Sequence, residues 1–413
     1  MTSLSRSRGD CRLCHSTSLQ KSIPLNPLPV ASPNVGAQAK IQESAPADVY
    51  RCLDCGALQL LTMVDPEFQY RNFKYTTGLS AGLADHFRTL INELAASGEI
   101  DKGRFVFDIG SNDGALLRLA REHGARVLGI DPAVDIAEAA TQNGMPTIGE
   151  FFCEKIGRDI RVEYGGAQVI ISANTVANID DLDDFLAGIN EVLAKDGIFV
   201  VETQYALDIL QRTLLDVIYH EHISYFAVRP MRIFLERHGM ELVDAERIAP
   251  KGGAVRFYIQ KKGGPRAISA RVGAMEGGES AAGLYDDHPY NAFNDRIRNL
   301  GGKVRAKLDQ SRRETGRALA FGSSVGCAAL IQYLDLGASI DALFDDQPLV
   351  NYLPWKDGII PILSGAQLTN EAPADVAVLA WRYADLISAK HTTFRGAGGR
   401  FYTVLPEVRM VTD

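Results

Sequence analysis

One stretch limits the fold of this chain more than any other: Phe105-Val106-Phe107-Asp108-Ile109-Gly110-Ser111-Asn112-Asp113-Gly114. An apolar run ends in an acid, a glycine turn follows, and a helix is expected from about Ala115. Beyond that helix, Val127-Leu128-Gly129-Ile130-Asp131 is a second apolar strand closed by a second acid. Gln168–Ser172 and Gly197–Glu202 read as further strands, with helices at Asp135–Gln142 and Leu182–Leu193. Strands and helices alternating in this way give a parallel sheet covered on both faces. In a doubly wound sheet the acid closing the second strand, about 20 residues on, faces the ribose hydroxyls of a nucleoside. The turn lacks the three-glycine spacing that brings backbone close to a pyrophosphate. A ligand with a ribose and no phosphates fits better, which points to S-adenosylmethionine (SAM). The plainer alternative is a bare βαβ unit with a glycine turn.

The cysteines add a second constraint. Four of the six form two pairs, Cys11-Arg12-Leu13-Cys14 and Cys52-Leu53-Asp54-Cys55, while Cys153 and Cys327 stand alone. Each CxxC turn presents two thiolates to one ion, and two turns complete a tetrahedral zinc site. With all four ligand places filled by Cys, none is left for water, so the metal is expected to be structural. A redox dithiol is the rival reading. The 37 residues between the pairs include Pro24, Pro27, Pro29, Pro33 and Pro46, which suits irregular structure.

The remaining organisation follows from length and charge. A chain of 413 residues accommodates two or three domains. Its net charge of -8 argues against a nucleic-acid or anionic-membrane binder. No apolar run approaches the roughly 18 residues of a membrane span. The polar segment Met1–Asp10 lacks the apolar centre of a signal peptide, so a cytoplasmic chain is expected, and a monomer. After a long polar helix, about Asn291–Thr315, a second βαβ pattern begins at Ala318–Gly326. It continues through a helix at Cys327–Leu336, Ile340–Phe344 closed by Asp345-Asp346, and the strand Val376–Ala380. The expected class is α/β. It comprises a zinc lobe over 1–72, a SAM-binding Rossmann-like domain over 73–262 and a second Rossmann-like domain over 263–413. The loop Gly322–Gly326 either cradles a phosphate through its N–H groups or is an ordinary turn.

Tyr219-His220-Glu221-His222 is the densest polar cluster, set after the apolar stretch Leu207–Ile218, read as a helix. Histidine is the natural base near neutral pH, and a neighbouring carboxylate can orient it. The two histidines are not at the i, i+4 spacing of a helical zinc pair. Histidines at a helix C-terminus, near its dipole, explain the cluster equally well.

Taken together, the CxxC/CxxCG lobe, Asp108–Gly114, Tyr219-x-Glu221-His222 and Lys251-Gly252-Gly253-Ala254-Val255-Arg256 resemble the SAM-dependent sugar C-methyltransferases of deoxysugar biosynthesis. Leu379–Ile387 and Gly398-Gly399-Arg400-Phe401 resemble that family's last domain, so the likeness spans nearly the whole chain. It implies a nucleotide-linked 4-keto sugar as acceptor. A base removes the proton beside the carbonyl, and the enolate carbon attacks the SAM methyl. It also implies that His222 is the base, with Tyr219, Glu221, Tyr75 and Asn178 around the reacting centre. Asp108, Gly110, Ser111, Asn112, Gly114, Asp131 and Asn174 would hold SAM. Lys251, Arg256 and Gly322 would face the acceptor, and Cys11, Cys14, Cys52 and Cys55 the zinc.

The chain departs from that family's pattern where Asn178 stands in place of a usual His and Lys251-Gly252-Gly253-Ala254 in place of His-Gly-Gly-Ser. A lysine of the third-domain loop is replaced near Gly326. These changes fall where the acceptor is expected. Other readings are an O- or N-methyltransferase, a non-catalytic binding homologue, and a nicotinamide oxidoreductase using the third domain. Against the last, that domain has no full GxGxxG.

Overall fold

The computed structural model describes residues 4–30, 43–71, 73–74, 76–77 and 82–412. Tyr75 and Pro33 lie outside these described residues. In the N-terminal lobe, Leu19–Ile23, Val49–Cys52 and Leu58–Leu60 pair antiparallel, and Ser224–Tyr225 joins as a fourth strand from far along the chain. Each CxxC turn is closed by its own backbone. The His15 N–H donates to the Cys11 carbonyl and the Gly56 N–H to that of Cys52. Gly56 has φ +85°, and a Cβ there would meet the Tyr285 ring at 2.4 Å. Only glycine satisfies both the left-handed turn and that close approach.

The central sheet is built from β1 (Phe105–Ile109), β2 (Arg126–Ile130), β3 (Thr147–Ile148), β4 (Ala167–Ala173), β5 (Leu193–Gln204), β6 (Met240–Ile248) and β7 (Ala254–Lys261). Their order is β3-β2-β1-β4-β5-β7-β6, parallel except that β7 runs antiparallel to both β5 and β6. Every residue of β1 is buried, as a strand covered on both faces requires. Helices Leu83–Ala96 and Ala115–Glu122 cover one face through Leu90, Ile91, Leu94, Leu116 and Leu117. The core on the other face is continuous from Cys11 in the zinc lobe to Leu405 near the C-terminus.

A helix of 28 residues, His288–Thr315, leads to the second sheet. Its strands are β8 (Leu319–Phe321), β9 (Ala342–Asp345), β10 (Tyr352–Trp355), β11 (Gly358–Ser364), β12 (Asp375–Val378), β13 (Arg400–Thr403) and β14 (Arg409–Met410). The order is β10-β11-β9-β8-β12-β13-β14, with parallel inner strands and antiparallel edges. Both sheets are the doubly wound α/β type expected.

The apolar stretch Leu207–Ile218 is not one helix. Ala206–Arg212 is helical, Thr213 turns left-handed at φ +55°, and Leu215–Val217 makes a single 3-10 turn. Tyr219–His222 therefore does not end a helix, and the dipole explanation for its histidines falls.

Candidate functional site

The carboxyl ends of β1, β2 and β4 open into a cleft of about 1010 Å³ that the zinc lobe and the second sheet also line. Sites in such sheets form where loops leave the carboxyl ends of the strands. The first loop is fixed by its glycines. Gly110 has φ +78°, and a Cβ there would lie 2.0 Å from Thr175 Oγ1. The Gly110 and Ser111 N–H groups both donate to the Ile130 carbonyl. Asp131, which closes β2, accepts the Asn112 N–H on Oδ2 and the Ala133 N–H on Oδ1, each at 2.9 Å. Each oxygen keeps a second lone pair for a hydroxyl, as a ribose diol requires. The Ser111 hydroxyl is buried with no partner. Asp108, Gly110, Ser111, Asn112, Asp131 and Asn174 all line the cleft. Burial, with Asp131 beside it, pushes the Asp108 carboxyl up to about 8. A ligand cation would restore its ionised form. These features fit the SAM that the first loop implied. Gly114, expected with this group, does not line the cleft. At φ +72° it turns the chain into the helix Ala115–Glu122, and a Cβ would strike Met145 at 2.7 Å.

His222 also lines the cleft, buried and hydrogen bonded in a way that fixes its tautomer. Its Nδ1 lies 2.7 Å from the Val217 carbonyl, which can only accept, so Nδ1 carries the proton. Nε2 keeps its lone pair and accepts from the Gln204 amide at 3.1 Å. The Tyr219 hydroxyl is 3.4 Å from the same nitrogen, and the two rings pack with centroids 4.3 Å apart. Burial, and then the cation of Lys251, lower the imidazole to about 3. Burial and the nearby Glu221 keep the Tyr219 phenol protonated. Burial and Arg382 lower the Lys251 ammonium to about 8. Asn178, in the 3-10 turn Val176–Asn178, lines the cleft with a buried Oδ1 that has no partner.

Glu221 and Lys251 line the same cleft. Two other expected residues do not. Arg256 is 3% exposed, and its guanidinium is held by Glu202 at 2.6 Å and by Glu93 and Glu246 at 2.9 Å. With three carboxylates around it, it has no face for an acceptor. Gly322, at φ +112°, is packed against Ala380 and Cys327, and the following Ser324, Val325 and Gly326 reach the cleft instead. Gly326 is where the Asp216 carbonyl passes, 2.6 Å from where a Cβ would sit. Asp216 also accepts from Trp381 Nε1 at 3.1 Å and from Arg382, tying the second sheet's loops to the cleft.

Sequence reasoning missed Gln204 and His86. His86 lines the cleft from the helix Leu83–Ala96, with Nε2 2.7 Å from Glu202 Oε2. The signal for Gln204 was present: Glu202-Thr203-Gln204 is a polar trio ending the apolar run of β5. For His86, nothing local marked the contact.

In the zinc lobe, the sulfurs of Cys11, Cys14, Cys52 and Cys55 lie within 4.8 Å of one another. Cys11 to Cys55 is 3.6 Å and Cys14 to Cys52 is 3.5 Å. Zinc–sulfur bonds of about 2.3 Å arranged tetrahedrally place sulfurs about 3.8 Å apart, so the residues fit the ion. No helix among the described residues is long and apolar enough to cross a membrane.

Comparison with known proteins agrees with this geometry. Three family models match in chain order: a zinc binding domain over residues 11–70, a methyltransferase domain over 83–245 and a C-methyltransferase C-terminal domain over 249–406. The chain is a SAM-dependent methyltransferase with a zinc site of four cysteines. C-methyltransferase NovU of Streptomyces niveus is 28% identical over 416 residues, which cover 100% of this chain and 99% of that protein. Among solved structures, magnesium protoporphyrin IX methyltransferase of Synechocystis with bound SAH is 14% identical. It covers 43% of this chain and 83% of its own, with a TM-score of 0.34. The cyclopropane synthase MmaA2 of Mycobacterium tuberculosis is 13% identical, covering 48% and 91%, with a TM-score of 0.36. Likeness at that level adds nothing to the assignment.

Proposed function

We propose that the chain methylates the carbon beside the carbonyl of a nucleotide-linked keto sugar. The observation that carries this reading is the neutral His222, with its proton fixed on Nδ1 and its Nε2 lone pair beside Tyr219. When bound, SAM supplies an electrophilic methyl group on a sulfonium sulfur. His222 Nε2 takes the proton from the carbon beside the carbonyl. The C–H bonding pair moves toward the carbonyl oxygen, and the imidazole becomes a cation. The entering acceptor displaces the Gln204 amide from Nε2. Developing negative charge on the acceptor, with Glu221 nearby, offsets the cost of a cation in this buried place. Tyr219 and the Asn178 amide donate toward the enolate oxygen, and the Lys251 ammonium stabilises its charge.

The second sheet supports a nucleotide on the acceptor. Its β8–β9 unit repeats the hydrogen bonding of the first loop. The Gly322 N–H donates to the Phe344 carbonyl at 2.8 Å, as that of Gly110 does to Ile130. Asp345 accepts the Ser323 N–H at 2.9 Å, as Asp131 accepts that of Asn112. Paired cysteines used as a metal site suit a reducing, cytoplasmic setting. The test is purified protein with SAM and a panel of 4-keto nucleotide sugars, with products read by NMR. A methyl bonded to ring carbon is the expected result. Methyl on oxygen or nitrogen, or no product across the panel, would contradict the reading.

A further inference from the structure

Arg12 sits inside the first CxxC turn, between the zinc ligands Cys11 and Cys14, yet its side chain leaves the metal and runs into the molecule. It is 2% exposed. Its Nη1 donates to the Leu60 carbonyl at 2.6 Å and to the Ile223 carbonyl at 3.1 Å. Its Nε donates to Asp180 Oδ1 at 2.9 Å. Ile223 directly follows His222, and its own N–H donates to the Ala177 carbonyl at 2.8 Å, next to Asn178. Asp180 lies two residues beyond Asn178. One guanidinium thus ties the metal-bearing turn to both segments that bring polar groups to the acceptor side of the cleft. Arg8 also reaches Asp180, at 2.9 Å, but of these two arginines Arg12 is the one that also holds Ile223. A planar fork reaches a carboxylate from Nε and two carbonyls from Nη1, a spread that the single nitrogen of a lysine does not have.

We infer that Arg12 is a positioning residue for methyl transfer, through which the zinc turn sets His222 and Asn178 relative to each other. The inference rests on the reading of His222 as the base. In the full chain, Arg12→Met keeps much of the side-chain bulk and removes the donors. The expected variant binds a full complement of zinc and holds SAM within about twofold of wild type. Its kcat falls by about 30- to 100-fold with KM moved less than about threefold, because a displacement of about 1 Å at the reacting group can cost that much. A kcat within about twofold of wild type, or a change in KM alone, overturns the inference. If Arg12→Met does not fold, variants of Asp180 serve in its place. Either Asp180→Asn, which weakens this anchor of the fork by removing its charge, or Asp180→Ala, which removes it, is expected to lower kcat, the Ala variant about tenfold by the same misplacement; an unchanged kcat in Asp180→Ala overturns the inference. His222→Gln keeps the two readings apart. If it is inactive while the Arg12 variant is normal, only the positioning role fails. If it is fully active, the base assignment fails and the positioning role fails with it.

Discussion

His222 has its proton on Nδ1 because the Val217 carbonyl 2.7 Å away can only accept. That leaves Nε2 basic at every pH where the ring is neutral. Burial lowers the ring to about 3 and the Lys251 ammonium to about 8. The proposed reaction needs His222 neutral and Lys251 cationic, so the rate is expected to be lost in acid as His222 gains its proton and in base as Lys251 loses its own. The pH profile of kcat/KM reports the free enzyme. It is expected to be level from about pH 5 to 7.5 and to fall as pH rises through about 8. An acid limb near the ordinary histidine value would contradict the buried, neutral ring. Replacing His222 by Gln is expected to lower kcat by about 100-fold or more, as for loss of a general base, with SAM affinity unchanged by calorimetry. At this scale the cysteines and Asp131 were legible, because their meaning lies in local spacing. His86 was not, because only the fold brings its helix to the cleft, and Gln204 was marked by its polar trio but its contact with His222 was not.

At the scale of elements, the first loop was legible and the segment before His222 was not. Asp108–Gly114 and Asp131 are neighbours in one βαβ unit, so the pattern along the chain already contains their contact. Leu207–Ile218 is buried along nearly its whole length apart from Gln211 and Arg212, whatever its backbone conformation. Hydrophobicity alone cannot separate a helix from a buried irregular segment there. Thr213 at φ +55° breaks the helix, and the bend turns Tyr219–His222 into the cleft. Arg256 shows the converse limit: a strand arginine is visible in sequence, but the three acids that consume its charge come from separate elements. The loop itself offers a test. Gly110→Ala places a Cβ at left-handed φ, 2.0 Å from Thr175 Oγ1. It is expected to destabilise the protein by about 2 kcal/mol and to weaken SAM binding, as followed by thermal melts with and without SAM. An unaltered melt would mean that the loop relaxes without cost.

For the whole molecule, both doubly wound sheets were readable from alternation, whereas the way the zinc lobe joins the cleft was not. Ser224–Tyr225 completes the lobe's sheet by pairing with Gln59 and Leu58 from far back along the chain, a pairing that no local pattern announces. The lobe therefore supports the segment carrying His222. Stripping zinc with a chelator is expected to lower the melting temperature and kcat together, and restoring one zinc per chain is expected to recover both. Recovery of stability without activity would separate the lobe from the cleft. The central claim is that this cleft removes a proton from carbon beside a carbonyl, and hydrogen exchange without SAM tests it most directly. A 4-keto nucleotide sugar that the enzyme methylates is held with the protein in deuterium oxide. NMR then follows deuterium at the carbon next to the carbonyl. Wash-in is expected with wild type and none above background with His222→Gln. Equal exchange with both proteins, or none with either, would contradict it.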